Sequence, residues 1–323
     1  MNLTEKEYLR NELPENARLL FDDITVPRVL GASAHIDRIC QIICLVAEKD
    51  PSATGADQIN RLLNYFCATR GQSSYAIINA VNDLKYRIQT QRQTEKEINC
   101  AVQRAVEQFQ EASHIHRQLI ITYATALLNN SHRILLYDYS STVDAVVQKL
   151  DPGIEIVIAE SRTINGGIPF VKNCVQTHKH VSFIPDAALY QGLQGCDAVL
   201  IGAETFYPDG TAFNTVGSDI AALLAHYEHI RYYVLTSAQK VDIRALQGNG
   251  KQVELKNFRE KLAEGIDEKD AARLDYQIRG CVPITPDFIT AYITELGVLP
   301  PTSLFSALWA WKPEYFRMGE ENK

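Results

Sequence analysis

The first 130 residues carry apolar side chains at the three- and four-residue steps of amphipathic helices. The longest run extends from Thr94 to Leu128, and Thr94 with Glu97 predicts a capping box at its start. Three earlier helices are indicated by apolar groups of the same spacing, which are Ile36, Ile39, Cys40 and Ile43; Ile59, Leu62, Leu63 and Phe66; and Ile77, Val81, Leu84 and Ile88. Residues 1–130 are therefore predicted to form a helical N-terminal domain.

After Asn130 the pattern changes to short apolar runs separated by helical stretches. The runs read RILLYDY, IEIVIAES, HVSFIPD, DAVLIGAET and RYYVLTSA. Runs that are apolar on both faces and alternate with helices are typical of a parallel sheet that is covered on each side. Residues 131–323 are therefore predicted to form a Rossmann-like α/β domain with a doubly wound parallel sheet.

Polar residues follow all five apolar runs. In chain order they include Asp138; Arg162 with the turn Asn165-Gly166-Gly167; Asp186; Glu204 with Asn214 close behind; and Lys240. In open α/β sheets ligands bind beyond the carboxyl ends of the strands, where the strand order reverses. This arrangement predicts a ligand pocket at that edge of the sheet.

Arg162 and the glycine turn after it suit an anionic ligand. A guanidinium presents a fork of donors, and glycine allows backbone N–H groups to approach closely. The alternative is an arginine that anchors the loop to a carboxylate. For Arg162 the favoured interpretation is phosphate binding by a buried guanidinium. Lys240 is either a second cation of the site or a solvent-exposed lysine.

Asp138 and Glu204 end the first and fourth runs, so both are candidates for one pocket. Two neighbouring carboxylates shift one another's pKa and can relay a proton. The alternative is a structural pair, one capping a helix and the other bonded to a loop amide. The sequence leaves both interpretations open.

Composition narrows the function classes. The net charge is −7 and no basic cluster is present, which argues against direct binding of nucleic acid. No run approaches the length of a membrane span, and the N-terminus lacks the order of a signal peptide, so a cytoplasmic location is expected.

The seven cysteines lie mostly in apolar runs and are expected to be free thiols. Cys40 and Cys44 lie one helical turn apart, but no nearby Cys or His completes a metal site, so no metal is expected.

Familiar catalytic and cofactor motifs are missing from the sequence. Ser161 has no GxSxG context, and the histidines form no recognisable triad arrangement. The chain contains neither GxGxxG nor the phosphate-binding loop GxxxxGK[ST], and no cofactor is expected. A phosphate site in this chain would be of another type.

Several ordered blocks of the α/β half resemble one known family. They read ESRTINGG, IPDAAL, GCDAVLIGAETFYPDGTAFNTVGSDIAALLA, YYVLTSAQKVDI and ITPDFITAYITELGVLPP. In order and spacing they are similar to the alpha, beta and delta regulatory subunits of initiation factor 2B and to the sugar-phosphate isomerases of the same family. TRGQSS around Arg70 is similar to an arginine-containing loop of that family.

The resemblance implies a homodimer, with a pocket for a phosphorylated sugar or a nucleoside monophosphate. Carried over by position, the implied ligand-binding residues are Arg70, Arg162, Gly166, Gly167, Asp186, Asn214 and Lys240. The family's isomerases have a cysteine where this chain has Asp138 and an aspartate where it has Glu204. Two family cations are also replaced, by Leu30 and Thr215.

These departures favour a member that binds a phosphorylated sugar or nucleotide as a dimeric regulatory subunit without the usual catalytic pair. Larger assemblies of such dimers are compatible with the sequence. The alternative is a sugar-phosphate aldose-ketose isomerase in which Asp138 and Glu204 take the catalytic roles. A third hypothesis is an assembly protein with a vestigial pocket, in which Arg162 has no ligand to bind.

Overall fold

The computed structural model describes residues 4–26 and 31–313. Leu30, one of the two predicted cation replacements, lies outside the described residues. The chain divides into two compact units, with the boundary between Ile115 and His116. The boundary between these units therefore lies inside a long helix, 15 residues before the domain boundary predicted at residue 130.

The first unit is helical, as its spacing predicts. Its helices are α1 (Glu5–Glu12), α2 (Glu15–Thr25), α3 (Ala32–Lys49), α4 (Ala53–Ala68), α5 (Arg70–Ser73), α6 (Tyr75–Gln91) and the first part of α7 (Ile98–Leu128). Ile39, Ile43 and Val46 on α3 are buried because they recur on one face of the helix. Cys40 belongs to the same core, as expected of a thiol among apolar neighbours.

The capping box predicted at Thr94 is wrong. Helix α7 begins at Ile98, and the Thr94 hydroxyl donates to the Gln91 carbonyl, 3.1 Å away. The Thr94 hydroxyl therefore stabilises the turn that follows α6. A capping box does exist at Thr4 and Glu7, where it starts α1.

The second unit is an α/β layer structure. Its strands are β1 (Arg133–Leu136), β2 (Glu155–Ala159), β3 (Val181–Ile184), β4 (Ala198–Ile201), β5 (Thr205–Phe206), β6 (Ala212–Thr215), β7 (Arg231–Leu235), β8 (Leu255–Asn257), β9 (Gln277–Arg279), β10 (Cys281–Ile284), β11 (Ala291–Thr294) and β12 (Gly297–Leu299). Its helices after α7 are α8 (Ser141–Val147), α9 (Gly167–Gln176), α10 (Leu189–Leu193), α11 (Ser218–Tyr227), α12 (Arg259–Leu262), α13 (Glu268–Ala271) and α14 (Pro301–Trp311).

The main sheet has the order β12-β11-β7-β4-β1-β2-β3, and only β12 is antiparallel to its neighbour among these described strands. The five apolar runs are therefore parallel strands, as predicted. From β1 the chain moves to β2 and β3 on one side, and then to β4, β7 and β11 on the other. The strand order thus reverses between β1 and β4, which is where the ligand site of such a sheet is expected.

Two small sheets complete the second unit. Strands β5, β6 and β10 form an antiparallel sheet, in which Thr215 stands opposite Cys281. Strands β8 and β9 pair within a charge-rich segment, residues 249–280, that we call the charged excursion. Phe258, Ala271 and Tyr276 are buried within it, so the excursion has packed anchors of its own.

Candidate functional site

Asp138 stands directly beyond β1, on one side of the point where strand order reverses. Its backbone has a φ of 60°, a left-handed conformation that aspartate tolerates better than most residues. Its carboxylate accepts from the Tyr139 amide at 2.8 Å, and its side chain is bonded to Thr215. Burial, with a smaller contribution from the charge of Glu204, raises the pKa of Asp138 to about 6, although the hydrogen bonds from Thr215 and Tyr139 oppose that shift.

Glu204 stands beyond β4, on the other side of that point. Its amide donates to the Phe213 carbonyl at 2.9 Å, which fixes the start of β5 against β6. Its carboxylate lies 3.1 Å from the ammonium of Lys251, whose side chain is only 4% exposed. The Cys281 thiol faces the same carboxylate, and burial together with the charge of Glu204 raises the pKa of that thiol.

Lys240 lies in a 3₁₀ turn, Ala238–Lys240, after β7. Its ammonium donates to the Ala203 carbonyl at 2.8 Å, next to Glu204 in the chain. Burial lowers the pKa of Lys240, and the charge of Glu204 opposes that shift. Lys240 is therefore a partly buried cation turned toward β4 rather than a solvent-exposed lysine.

Glu295, beyond β11, holds the turn that carries Lys240. One carboxylate oxygen accepts from the Ser237 hydroxyl at 2.9 Å, and the other accepts from the Ala238 amide at 3.0 Å. His116 lies 3.4 Å from the same carboxylate. Because Glu295 is buried, the donors of Ser237 and Ala238 offset the cost of placing its carboxyl group there.

Arg162 is the clearest disagreement with the sequence expectation. Its side chain is 47% exposed, so the prediction of a buried arginine is wrong. The guanidinium pairs with Glu264 at 3.1 Å and lies 3.9 Å from Glu160. The alternative interpretation, an arginine that anchors its loop to a carboxylate, describes this geometry; whether Arg162 also binds a ligand stays a prediction.

The glycine turn is used for close packing. The amides of Gly166 and Gly167 donate to the carbonyls of Ser161 and Glu160, so their N–H groups are already bonded inside the loop. A Cβ atom on Gly166 would lie 2.5 Å from an Asp138 carboxylate oxygen, and one on Gly167 would lie 2.2 Å from the Ala159 carbonyl oxygen. The glycines therefore let the loop after β2 pack against the end of β1.

Asp186 supports the same loop from the end of β3. Its two carboxylate oxygens accept from the amides of Ser161 and Arg162, both at 2.9 Å. Asn214 is buried on β6, next to Thr215. Arg70 belongs to the first unit, where its guanidinium lies 3.4 Å from the buried His35. The ligand-binding roles of these three residues stay predictions.

Lys251 and Cys281 are site residues that the sequence analysis missed. Lys251 precedes a charge-rich stretch with no apolar period, and Cys281 begins a short apolar run that indicates core. Neither position carries a local signal. Only the pairing of β10 with β6 brings Cys281 opposite Thr215 and hence beside Glu204.

Residues 4–26 and 31–313 contain neither a cluster of metal-ligating side chains nor a membrane-spanning helix. No group of three or more His, Cys, Asp or Glu side chains there is arranged to hold a metal ion. No helix in that part of the chain is both long and apolar enough to cross a membrane.

The sheet order defines the class of the second unit: it is a doubly wound α/β unit whose strand order reverses between β1 and β4, and polar side chains stand at the carboxyl edge there. The Initiation factor 2 subunit family matches residues 34–301 of this chain. The chain belongs to that family, as the sequence blocks indicate.

Individual relatives are distant. The ribose 1,5-bisphosphate isomerase of Haloterrigena turkmenica is 21% identical over 302 residues, which cover 89% of this chain and 91% of that protein. The ribose 1,5-bisphosphate isomerase of Archaeoglobus fulgidus is 26% identical over 179 residues, so the match spans 54% of this chain and only 56% of that protein.

A solved structure shares the fold. The translation initiation factor eIF-2B of Pyrococcus horikoshii OT3 superposes with a TM-score of 0.72 at 17% identity, covering 90% of this chain and 98% of that chain. This likeness confirms the predicted fold class, a helical region followed by a mostly parallel sheet.

Proposed function

We propose that this chain binds a small phosphorylated sugar or a nucleoside monophosphate beyond β1 and β4, as a homodimeric regulatory member of its family. The observation that carries the proposal is the convergence of Asp138, Glu204 and Lys240 on the point where the strand order reverses. Carboxylates accept hydrogen bonds from sugar hydroxyls, and ammonium and guanidinium groups bind phosphate oxygens. Arg162 is the proposed guanidinium.

Thermal unfolding with defined ligands tests the binding. A ligand at 100 times its dissociation constant stabilises the folded state by about 2.7 kcal/mol. We expect ribose 1-phosphate or adenosine monophosphate to raise the melting temperature of the wild type and to lose that effect in Glu204→Gln. The exposed Glu254→Gln makes the same charge change at a residue that is not assigned to the site, and it should respond like the wild type. A wild type that no sugar phosphate or nucleoside monophosphate stabilises would contradict the proposal.

The homodimer is tested separately. Sedimentation velocity of the full chain should give one species of twice the 36.3 kDa chain mass, with and without ligand. A monomer at micromolar concentration would remove the dimer from the proposal and leave ligand binding to be judged by the thermal shift.

A second candidate is a sugar-phosphate isomerase, and the raised pKa of Asp138 favours it. A carboxylate with a pKa of about 6 is suited to accept a proton from carbon near neutral pH. In an aldose-ketose exchange Asp138 would take the proton from C2 and return it to C1. Glu204 would take the proton of the C2 hydroxyl, as C2 becomes the ketone carbon, and a proton would pass to the ring oxygen released from C1. The names of the two isomerase relatives are consistent with this chemistry.

Turnover in deuterium oxide tests the second candidate. Ribose 1-phosphate and ribose 1,5-bisphosphate are incubated with the protein, and nuclear magnetic resonance follows ketose formation and deuterium at C1 of the product. Asp138→Asn and Glu204→Gln should each slow turnover by about 10² to 10⁴, the usual contribution of an acid or base. Unchanged turnover in both variants would show that these carboxylates do not carry the reaction.

A further inference from the structure

The charged excursion, residues 249–280, reaches the loops of the proposed site at three places. Lys251 pairs with Glu204 at 3.1 Å, and Glu264 pairs with Arg162 at 3.1 Å. The Asn165 amide oxygen accepts from the Lys261 ammonium at 2.7 Å. This orientation of the amide is chosen because the opposite one would place its oxygen against the Arg162 carbonyl oxygen, with no donor between them. Each contact matches a group of one loop with a complementary group of the excursion.

The contact at Arg162 differs from the contact at Glu204. The Glu264 side chain is 81% exposed, whereas the Lys251 side chain is 4% exposed. An exposed ion pair is weak and is easily replaced by a stronger anion, whereas a buried cation is fixed by its surroundings. The excursion is therefore held firmly at Lys251 and loosely at Glu264, which follows α12.

We propose that Glu264 is a built-in competitor for the anion that Arg162 binds, and that a phosphate group displaces it and releases α12 from the glycine-turn loop. This inference rests on the proposed binding function. A carboxylate tethered next to the guanidinium competes at an effective concentration on the order of millimolar. A phosphate dianion offers more charge and three acceptor oxygens, so it replaces Glu264, whereas a ligand with only a carboxylate gains nothing over it.

Affinity measurements on four variants test the competition. The probe is ribose 1-phosphate, followed by titration calorimetry on the full chain. Glu264→Gln should lower the dissociation constant by about 1.4- to 5-fold, the range expected when an exposed pair is removed. Glu260→Gln, an equal charge change on exposed α12, should leave it unchanged. In an Arg162→Ala background, Glu264→Gln should have no effect.

Two results would overturn the competition. One is an equal change in affinity from Glu264→Gln and Glu260→Gln, which would make the effect a general one of net charge. The other is a Glu264→Gln effect that persists without Arg162, since the pair would then not be its cause.

Hydrogen exchange separates this inference from the function on which it rests. The amides of Leu262 and Ala263 donate to the carbonyls of Phe258 and Arg259 in α12, so their exchange reports release of that helix. Without any ligand, Glu264→Gln should speed their exchange by about 1.4- to 5-fold over wild type, and Glu260→Gln should not.

Affinity and hydrogen exchange together distinguish a failure of the proposed function from a failure of the competition by Glu264. Faster exchange in Glu264→Gln, with no sugar-phosphate binding by any variant, overturns the proposed function and keeps the contact that holds α12. Sugar-phosphate binding with identical exchange and affinity in wild type and Glu264→Gln overturns the competitor and keeps the function.

Discussion

The carboxyl edge of the sheet has two sides that differ in how their charged side chains meet water. On the β1/β4 side, Asp138 is 6% exposed, and its pKa is raised because water is excluded. On the β2/β3 side, Arg162 is 47% exposed and pairs with carboxylates at the surface. Both sides follow strands of one sheet, so position at a strand end does not by itself determine environment. Burial determines which side has perturbed acids and bases and which side has weak, exchangeable ion pairs.

Removing the charge of Asp138 gives the largest expected effect. The folded-state pKa of about 6 exceeds the ordinary value of 3.8, so the wild type loses about 3 kcal/mol of unfolding free energy as pH rises from about 4 to about 6. Asp138→Asn lacks this loss and should be up to about 3 kcal/mol more stable than wild type at pH 7, with no gain at pH 3.5.

Urea unfolding at both pH values measures the Asp138 effect. The exposed Asp287→Asn serves as the matched control and should follow the wild type at each pH. If Asp138→Asn were no more stable than wild type at pH 7, ionisation of Asp138 would not cost stability and the β1/β4 side would not be a site of charge burial.

Truncating Glu295 removes the support of Lys240. Hydrogen bonds to a charged group contribute about 1.5 to 3 kcal/mol, and the Ser237 hydroxyl and Ala238 amide would each lose such a partner. Glu295→Ala should lower the free energy of unfolding by at least that amount. The exposed Glu254→Ala should change it by less than about 0.5 kcal/mol. Equal stabilities of the two variants would mean that Glu295 does not hold the turn.

Adding a methyl group at Gly166 tests the contact between the loop after β2 and Asp138 at the end of β1. The new Cβ would lie 2.5 Å from an Asp138 oxygen and 3.0 Å from the Tyr139 nitrogen, so one loop must shift. Overpacking of this kind costs about 1 to 3 kcal/mol. Gly250→Ala, whose Cβ would find its nearest atom 3.4 Å away, is the control. If Gly166→Ala were as stable as that control, the loop after β2 would not be tightly packed against Asp138.

Removing Arg162 should have the smallest effect on stability. The guanidinium is exposed, so Arg162→Ala should change the unfolding free energy by less than about 1 kcal/mol, and the change should shrink further in 1 M salt. Arg273→Ala, another exposed arginine of the second unit, is the control. A loss above about 2 kcal/mol would show that Arg162 is a structural residue comparable with Glu295.

The sequence predicts the framework of this site because the framework has periodic signals. Five apolar runs give five parallel strands, and the placement of Asp138 and Glu204 on either side of the strand reversal follows from topology alone. Strand β11 lies outside the predicted set, because an antiparallel strand follows it directly, in place of a helical stretch like those that separate the predicted runs.

The partners of the site residues have no such signal. Glu264 lies 102 residues from Arg162, in a stretch whose charges all look solvent-exposed. The exposure of Arg162 and the burial of Lys251 depend on how the charged excursion packs. Long-range pairing of this kind is set by tertiary contacts that local spacing does not encode.

The raised pKa of Cys281 favours a protonated thiol, which we expect to resist oxidation. Peroxides and alkylating reagents attack the thiolate, and burial beside Glu204 disfavours that form by raising the pKa. A cysteine placed near a cationic group without this carboxylate would be readily converted to a sulfenic acid. In this protein the carboxylate of Glu204 thus disfavours the reactive form of the neighbouring sulfur.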